Sequence, residues 1–332
     1  MSILLTGGLG YIGSHTAVEL LEKDNDIIIV DNLSNSKIET VEKIKKITNK
    51  DFKFIKADLK DFNATEQIFK ENNISAVVHF AGLKAVGESV QIPIEYYENN
   101  ILSTLNLLRC MEKHNVFKFV FSSSATVYGV TQQMPLKEDF PTGATNPYGR
   151  TKLFIEEILK DVYVSNPKFN IAILRYFNPI GAHKSGLIGE DPNGIPNNLM
   201  PYITKVATGK LKELSIFGND YPTKDGTGVR DYIHVCDLAN GHVLALEKLN
   251  ENPGVFICNL GTGNGYSVLE IVNTFNSVNG NLVNYKFTSR RPGDIAVCYA
   301  DTTKAKQELN FTAIHTLEDM CKSSYEFEKN NK

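Results

Sequence analysis

The sequence of 332 residues has no block of charge of one sign. Lys and Arg number 35 and Asp and Glu number 38, which gives a formal net charge of −3 without a basic arm or an acidic tail. Proteins that bind nucleic acids carry basic patches that neutralise phosphates. The charge pattern therefore argues against a nucleic-acid partner.

Long apolar runs are also missing. No run approaches the roughly 18 apolar residues that a membrane-spanning helix needs. The first residues, Met1–Gly7, have no basic segment and reach glycine after three apolar residues, so they do not match a secretory signal peptide. We expect neither a membrane span nor export.

Cysteines are few and scattered, and no two of them form a Cys-x-x-Cys pair. An odd number without close pairs argues against a disulfide framework and against a zinc site. We therefore expect a cytoplasmic protein without a metal ion. The five cysteines are Cys110, Cys236, Cys258, Cys298 and Cys321.

The composition is that of an ordinary globular protein. Hydrophobic residues make up 42% and charged residues 22% of the chain, which excludes a disordered, collagen-like or coiled-coil protein. At about 150 residues per domain, the length is enough for about two domains or one large one.

Short apolar runs alternate with longer stretches whose apolar residues recur at helical spacing. This alternation predicts an α/β fold with a doubly wound parallel sheet and helices on both faces. The strand runs are Ile3–Leu5, Ile27–Val30, Phe52–Ile55, Ala76–Phe80, Phe117–Phe121 and Ile171–Leu174. The helical stretches are Ile12–Glu22, Ile38–Ile47, Thr65–Asn72, Tyr96–His114 and Thr151–Tyr163.

The texture of the chain changes after Phe177, where loops rich in Pro, Gly and Asn replace the regular alternation. We expect a first domain over residues 1–177 and a smaller α/β domain over residues 178–332. Part of the chain near residues 230–260 is expected to return to the first domain. Long loops in a compact domain usually form binding walls, so the second domain is expected to bind a substrate.

A glycine-rich turn, Gly7-x-x-Gly10-x-x-Gly13, follows the first predicted strand and opens the first helix. Glycines at this place allow a tight turn and let the backbone approach a pyrophosphate at the positive end of the helix. A strand-to-helix turn without a ligand is the alternative for this pattern taken alone.

Asp31 ends the second predicted strand, about 20 residues further on. A carboxylate there can bind both hydroxyls of an adenosine ribose and repels a 2′-phosphate, so NAD is favoured over NADP. Asp58 with Leu59 and Phe80–Gly82 lie at the ends of the next two strands, where open α/β sheets bind ligands.

Tyr148 and Lys152 lie four residues apart and share one face of a helix that begins near Asn146. A tyrosine normally titrates near pH 10, and lowering its pKa to about 7 takes about 4 kcal/mol. Lys152 and an oxidised nicotinamide ring are charges of the right size, so we expect a lowered pKa for Tyr148. Ser124, at the end of the fifth strand, is placed to relay a proton to Tyr148.

These features, in this order, resemble the extended short-chain dehydrogenase/reductase family, whose sheet is of the Rossmann type. Four longer motifs extend the resemblance to nucleotide-sugar members along essentially the whole chain. The motifs are Gly82–Val90, Phe121–Gly129, Gly194–Tyr202 and Gly226–Val235.

The resemblance implies reversible 4-epimerisation of UDP-glucose and UDP-galactose through a 4-keto sugar, with a tightly held NAD that is regenerated in each turnover. Tyr148 is then the base at the sugar 4-hydroxyl, Lys152 binds the nicotinamide ribose, and Ser124 bridges the sugar oxygen. It also implies a homodimer formed through a four-helix bundle, with Tyr96–His114 and Thr151–Tyr163 as the pairing helices.

The resemblance also implies the binding residues. The cofactor positions are Gly7, Gly10, Tyr11, Ile12, Gly13, Asp31, Asn32, Leu33, Ser34, Asn35, Ser36, Asp58, Leu59, Phe80, Ala81, Gly82, Lys84, Asn99, Ser124, Tyr148, Lys152 and Phe177. The nucleotide-sugar positions are Lys84, Ser124, Tyr148, Asn178, Asn198, Ser215, Ile216, Phe217, Arg230, Arg291, Asp294 and Cys298.

The two arginines of the nucleotide-sugar set can also be interpreted without the resemblance. Arg230 in a Gly-rich loop and Arg291 beside Arg290 offer guanidinium forks for a diphosphate.

Cys298 stands where a bulkier tyrosine is common in bacterial relatives. We hypothesise that the smaller side chain leaves room for a 2-acetamido group, so that UDP-GlcNAc and UDP-GalNAc are also substrates. A small buried residue without effect on substrate choice is the alternative.

Three other functions compete with this prediction. A nucleotide-sugar 4,6-dehydratase needs an additional acid and base, whereas this chain has Ala125 and Thr126 where dehydratases carry Asp-Glu. A UDP-glucuronate 4-epimerase uses the same cycle and differs only in pocket residues. A non-catalytic dinucleotide sensor would not need Ser124, Tyr148 and Lys152 together.

Overall fold

The computed structural model describes residues 1–130, 133–193, 196, 198–291 and 294–331. The strands are Ser2–Thr6 (β1), Ile27–Asp31 (β2), Lys53–Lys56 (β3), Ile74–His79 (β4), Lys118–Ser122 (β5), Asn170–Tyr176 (β6), Asn178–Ile180 (β7), Leu214–Phe217 (β8), Val229–Arg230 (β9), Tyr232–His234 (β10), Val255–Leu260 (β11), Tyr266–Ser267 (β12), Tyr285–Thr288 (β13) and Val297–Cys298 (β14).

The α-helices alternate with these strands over the first half of the chain. They are Tyr11–Glu22 (α1), Thr40–Thr48 (α2), Phe62–Glu71 (α3), Val86–Gln91 (α4), Pro93–Tyr97 (α5), Ser103–Lys113 (α6), Pro147–Ser165 (α7), Leu199–Ala207 (α8), Val235–Lys248 (α9), Val268–Asn279 (α10), Thr303–Leu309 (α11) and Leu317–Asn330 (α12). A π-helix covers Glu98–Leu102, and short 3₁₀ helices cover Ala125–Tyr128 and Leu249–Glu251.

A seven-stranded sheet forms the centre of the fold, with the order β11-β6-β5-β4-β1-β2-β3. The pairs from β3 through β2, β1, β4 and β5 to β6 are all parallel. The direction of winding reverses between β1 and β4, which is where sheets of this topology bind ligands. The predicted doubly wound parallel α/β sheet is confirmed.

Burial on both faces explains why these segments form strands. All five residues of β2, Ile27–Asp31, are buried, as expected for a central strand covered by helices on both sides. The core of this sheet includes Leu4, Val77, Phe119 and Ile171. Continuous apolar runs therefore predicted the strands correctly to within one to two residues at most ends.

One predicted helix differs from the structure. The stretch Tyr96–His114 is broken into the end of α5, the π-helix Glu98–Leu102 and α6. The stretch was predicted as one helix because its apolar residues recur at helix-like spacing, and that criterion does not distinguish a regular α-helix from a helix with one wide turn. Such wide turns occur often at functional sites, and this one contains the predicted cofactor residue Asn99.

Contacts divide the chain into two units. The first contains Met1–Val130, Glu138–Tyr176 and Ala239–Cys258, and holds the core of the large sheet. The second is built from the chain around Leu136, from Phe177–Leu238 and from Asn259 onward.

The described residues of the second unit form three small sheets: β10-β7, β12-β9-β14 and β13-β8. Its core is formed by α8, α10 and α12 through residues such as Ile203, Phe275 and Met320. Reciprocal side-chain caps start α10 at Ser267 and α12 at Thr316. Among the residues that the structure describes, no helix combines the length and the apolar character needed to cross a bilayer.

A buried ion pair connects α7 to β6 in the first unit. The Arg175 Nη2 atom lies 2.7 Å from Glu156 Oε2, and both side chains are almost completely buried. Arg175 also donates to the Glu138 carbonyl oxygen at 3.0 Å. Removing one partner of such a pair leaves a buried charge without compensation.

We expect Glu156→Gln to lower the free energy of unfolding by about 3–5 kcal/mol, because Arg175 then remains buried without its counter-ion. Urea denaturation followed by circular dichroism measures this loss. The matched control is Glu157→Gln, since the Glu157 side chain is 57% exposed and pairs with Lys160 at the surface. We expect the control to lose less than about 1 kcal/mol. Equal losses in both variants would contradict the prediction.

Candidate active site

The glycine-rich turn lies between β1 and α1 and is too crowded for other residues. Gly7 has φ +64°, and a Cβ there would lie 2.7 Å from the Ala81 backbone nitrogen. A Cβ on Gly13 would lie 2.5 Å from the Gly7 carbonyl oxygen. Gly10 caps α1 and makes no side-chain cap hydrogen bond, so the cap residue places no side chain where a pyrophosphate would bind. The turn therefore fits the phosphates of a dinucleotide.

Asp31 is held beside this turn by three hydrogen bonds. Its Oδ1 accepts from the Leu33 amide at 2.9 Å and from Ser36 Oγ at 2.7 Å, and its Oδ2 accepts from the Leu9 amide at 3.2 Å. An ionised carboxylate has about four lone-pair directions, so acceptor capacity remains for a ribose hydroxyl. This arrangement fits the adenosine side of NAD.

The remaining predicted cofactor residues of the first unit follow the carboxyl ends of neighbouring parallel strands. The loop 32–36 follows β2, Asp58 and Leu59 follow β3, and the segment 80–84 follows β4. Since parallel strands end at the same edge of a sheet, the topology brings these positions to the edge that carries the glycine turn. Phe177 follows β6 directly, and its amide donates to the Leu260 carbonyl oxygen at 3.3 Å.

Asn100 is a residue that the sequence analysis missed. Its Oδ1 accepts from the Leu83 amide at 2.7 Å, and its Nδ2 donates to the Leu83 carbonyl oxygen and to Thr151 Oγ1, each at 3.0 Å. Asn100 therefore attaches the loop after β4 to α7. The only sequence signal was its position next to Asn99, whose Nδ2 donates to Asn100 Oδ1.

Helix α7 presents Tyr148 and Lys152 on one buried face. The helix begins as predicted, with the Asn146 side chain accepting from the Gly149 amide at 2.8 Å and with Pro147 in the first turn. Ser124 hydrogen-bonds Tyr148. The Lys152 Nζ atom donates to the Ser122 carbonyl oxygen at 2.8 Å. The structure thus brings Ser124, Tyr148 and Lys152 together.

The predicted lowering of the Tyr148 pKa requires a bound nicotinamide ring, and in the polypeptide alone the pKa is shifted in the opposite direction. Burial raises the pKa of Tyr148 well above its usual value, the neighbouring Tyr176 raises it further, and the hydrogen bond from Ser124 acts in the opposite direction. Burial lowers the pKa of Lys152 to about 8, and the nearby Glu156 carboxylate opposes this effect.

In the second unit, Arg230 and Cys298 lie opposite each other. Strands β9 and β14 pair in parallel with Arg230 in register with Cys298. The next residue, Asp231, is fully buried and accepts from the amides of Thr262, Gly263 and Ala300. Burial raises the pKa of the Cys298 thiol to about 11, and Arg230 works against that rise. Cys298 is therefore a neutral, half-buried neighbour of a cation.

A second group joins Phe217, Arg291 and Asp294. The Arg291 guanidinium carbon lies 5.0 Å from the centroid of the Phe217 ring, and Arg291 Nε lies 2.9 Å from Asp294 Oδ2. Ser215 and Ile216 precede Phe217 in β8. Arg290 is bound instead to Asp220, with its Nε 2.7 Å from Oδ1.

The two predicted asparagines of the second unit lie outside these groups. Asn198 caps α8 and donates to Glu190 Oε1 at 2.5 Å, and Asn178 starts β7 next to β10. Residues 194, 195 and 197 of the predicted motif Gly194–Tyr202 lie outside the described residues, and so do residues 292 and 293 between Arg291 and Asp294. In the described part of the chain, no group of three or more His, Cys, Asp or Glu side chains is placed to hold a metal.

A dinucleotide cradle on a doubly wound sheet, with a tyrosine and a lysine one turn apart beside it, places the chain in the class of short-chain dehydrogenases/reductases. Comparison with known families narrows this class. The family model described as GDP-mannose 4,6 dehydratase matches residues 4–324. The UDP-glucose 4-epimerase of Bacillus subtilis (strain 168) is 61% identical over 331 residues, covering 100% of this chain and 98% of that protein.

Solved structures agree with this result. A UDP-glucose 4-epimerase from Bifidobacterium longum, in complex with NAD+ and UDP, matches with a TM-score of 0.96 and 55% identity over 100% of this chain and 99% of that one. The UDP-Glc/GlcNAc 4-epimerase of Campylobacter jejuni matches with a TM-score of 0.87 and 39% identity over 99% of each chain. The chain belongs to the GDP-mannose 4,6-dehydratase family and, within it, to the UDP-glucose 4-epimerases.

Proposed function

We propose that the chain is an NAD-dependent enzyme that interconverts UDP-glucose and UDP-galactose by 4-epimerisation. The observation that carries this proposal is the buried set of Ser124, Tyr148 and Lys152 at the edge of the sheet that also holds the glycine turn. Full-length relatives at 51–61% identity that are named UDP-glucose 4-epimerases support the same reaction.

The cofactor cradle is assigned to the first unit. The glycine turn would hold the pyrophosphate of NAD, Asp31 its adenosine ribose and Lys152 its nicotinamide ribose. When bound, NAD supplies a reversible acceptor for the hydride of the sugar C4, so no net oxidation occurs. The structural reasons for this fit are the crowded glycines and the spare acceptor capacity of Asp31.

Tyr148 exchanges the proton of the sugar 4-hydroxyl. Removing that proton as the C4–H bond is broken gives a 4-keto sugar, and returning it after the sugar has turned its other face completes the epimerisation. The Ser124 hydroxyl bonds Tyr148 and is placed to bridge to the sugar oxygen. Because burial favours the neutral phenol, the polypeptide alone keeps Tyr148 protonated, and a bound cation is needed to release the proton.

The nucleotide-sugar residues are assigned to the second unit. Arg230 and Arg291 would bind the diphosphate, and the half-exposed Phe217 ring would pack against the base. We keep the predicted division into a cofactor domain over residues 1–177 and a sugar domain over residues 178–332, with part of the chain near residues 230–260 returning to the cofactor domain.

A 4,6-dehydratase is disfavoured by the residues beside Ser124. Ala125 has no acid-base group, and Thr126 donates both its amide and its hydroxyl to Ser124 Oγ, at 3.2 and 3.0 Å. Neither residue can act as the additional acid and base that elimination of water needs. The family name therefore does not carry over to the reaction of this chain.

Proton NMR of UDP-galactose with the purified protein and no added cofactor tests the proposal. The appearance of the UDP-glucose anomeric signal up to an equilibrium mixture is expected. No conversion, even with added NAD, would reject the neutral sugars, and UDP-glucuronate is the substrate to try next. If neither UDP-galactose nor UDP-glucuronate were converted, a non-catalytic dinucleotide sensor would be favoured.

The proposal includes a cytoplasmic homodimer. The five cysteines are scattered and no two of them form a Cys-x-x-Cys pair, which is typical of proteins of reducing compartments. Several apolar side chains are exposed on the outer helices of the first unit, and Phe154 on α7 stacks on Tyr97 at 6.0 Å. A four-helix bundle formed by Tyr96–His114 and Thr151–Tyr163 of two copies would cover the exposed Phe154 side chain. Sedimentation that shows only a 37.0 kDa species at micromolar concentration would refute the dimer.

A further inference from the structure

A second polar network lies directly behind Ser124. Ser123 is fully buried, and its Oγ donates to Glu156 Oε1 at 2.6 Å. Arg175 holds the same carboxylate with a fork, its Nε 3.1 Å from Oε1 and its Nη2 2.7 Å from Oε2. The three side chains join the end of β5 to α7 and β6.

Glu156 continues the line of functional residues along α7. Residues four apart lie above one another on a helix, so Tyr148, Lys152 and Glu156 share one face. Lys152 Nζ donates to the Ser122 carbonyl oxygen, and Ser123 donates to Glu156. Two consecutive residues before Ser124 are thus attached to the helix that carries Tyr148.

The Ser123 backbone shows why the side-chain bond matters. Its amide donates to the Leu174 carbonyl oxygen at 2.9 Å, which attaches the chain at this point to β6. The attachment of Ser123 to α7 is made by its hydroxyl. Without that bond, the chain that leads into Ser124 loses one of its two ties to the helix.

We infer that Glu156, fixed by Arg175, is a positioning residue for the reaction: through Ser123 it sets the separation of Ser124 and Tyr148. The inference rests on the proposed epimerisation and adds Ser123, Glu156 and Arg175 as residues that act through Ser124 and Tyr148. A bidentate Arg–carboxylate pair fixes the plane of the carboxylate, which is what a positioning role requires. The Glu156 charge also counteracts the effect of burial on Lys152.

Ser123→Ala in the purified holoenzyme tests the inference. In this variant Glu156 and Arg175 remain paired, so no buried charge is left without its partner. We expect kcat to fall about tenfold while KM stays within about twofold. The matched control is Ser324→Ala, which removes another buried hydroxyl, one that donates to the Met320 carbonyl oxygen at 2.8 Å in the second unit. The control is expected to keep the wild-type kcat.

A second measurement does not depend on the substrate. The phenolate absorbance of Tyr148 is followed against pH as the difference between each holoenzyme and the same protein carrying Tyr148→Phe. Because the Ser124 hydrogen bond lowers the pKa of Tyr148, Ser123→Ala should move this titration to higher pH. Arg175→Lys keeps the charge but loses the fork, and should shift the titration in the same direction by a smaller amount.

The two measurements separate the possible failures. An unchanged Tyr148 titration in Ser123→Ala, or a loss of kcat no larger than in Ser324→Ala, would overturn the inference. If the wild-type holoenzyme does not interconvert the two UDP-sugars, the proposed function fails. The titration then still decides whether Glu156 positions Ser124 against Tyr148.

Discussion

Tyr148→Phe is expected to lower kcat for the interconversion of UDP-galactose and UDP-glucose by about 10³-fold, because general acid-base catalysis by one side chain contributes 10²- to 10⁴-fold. The ring of Tyr148 packs with Ala85 and Tyr96, and phenylalanine keeps these contacts. Folding and KM should therefore change little. Steady-state kinetics and thermal unfolding of the same preparation measure both effects.

The control for this variant removes a hydroxyl to which we assign no role in the reaction. In the part of the chain that the structure describes, the Tyr221 hydroxyl is buried without a hydrogen-bond partner. Tyr221→Phe should keep the wild-type kcat and should not lower the stability. If Tyr148→Phe retained more than about a tenth of the wild-type kcat, Tyr148 would not be the group that exchanges the proton.

Cys298→Tyr is expected to lower kcat/KM for UDP-GlcNAc and UDP-GalNAc by about 100-fold, with a change of only a few-fold for UDP-galactose. The resemblance places Cys298 in the sugar pocket, where a larger side chain would take the space of the 2-acetamido group; in the structure Cys298 is in register with Arg230 of the adjacent strand. Pocket contacts of this size discriminate by about 10- to 200-fold.

Cys298→Ser is the matched variant, because it keeps the size of the side chain. It should turn over the acetamido sugars as the wild type does. The comparison of all four UDP-sugars across the two variants distinguishes a steric effect from a loss of the thiol. Unchanged turnover of the acetamido sugars in Cys298→Tyr would contradict the hypothesis that this position sets the substrate range.

The large sheet was predictable because its strands are buried on both faces. The runs Ile27–Val30 and Phe117–Phe121 reappear as β2 and β5 with ends shifted by one residue. The small sheets of the second unit were not predictable, since β9 and β14 have two residues each and carry no periodic pattern. The π-helix Glu98–Leu102 was missed because helix-like apolar spacing does not distinguish one wide turn from a regular α-helix.

The chemistry-bearing residues were predictable only where sequence spacing determines geometry. Tyr148 and Lys152 are one helical turn apart, so their shared face follows from the sequence. The Ser123–Glu156 bond joins residues 33 positions apart, and its existence depends on how α7 packs on the sheet. The opposing effect of burial on the Tyr148 pKa could not be predicted, because the degree of burial cannot be read from the motif.

The central claim is that the hydride leaves C4 of the sugar and returns to the same carbon. UDP-galactose labelled with deuterium at C4, incubated with the purified protein in ordinary water and without added NAD, tests this claim most directly. We expect the UDP-glucose that is formed to keep its deuterium at C4, as measured by NMR and mass spectrometry. UDP-glucose carrying hydrogen from water at C4 would contradict it, because the hydrogen would then have left as a proton.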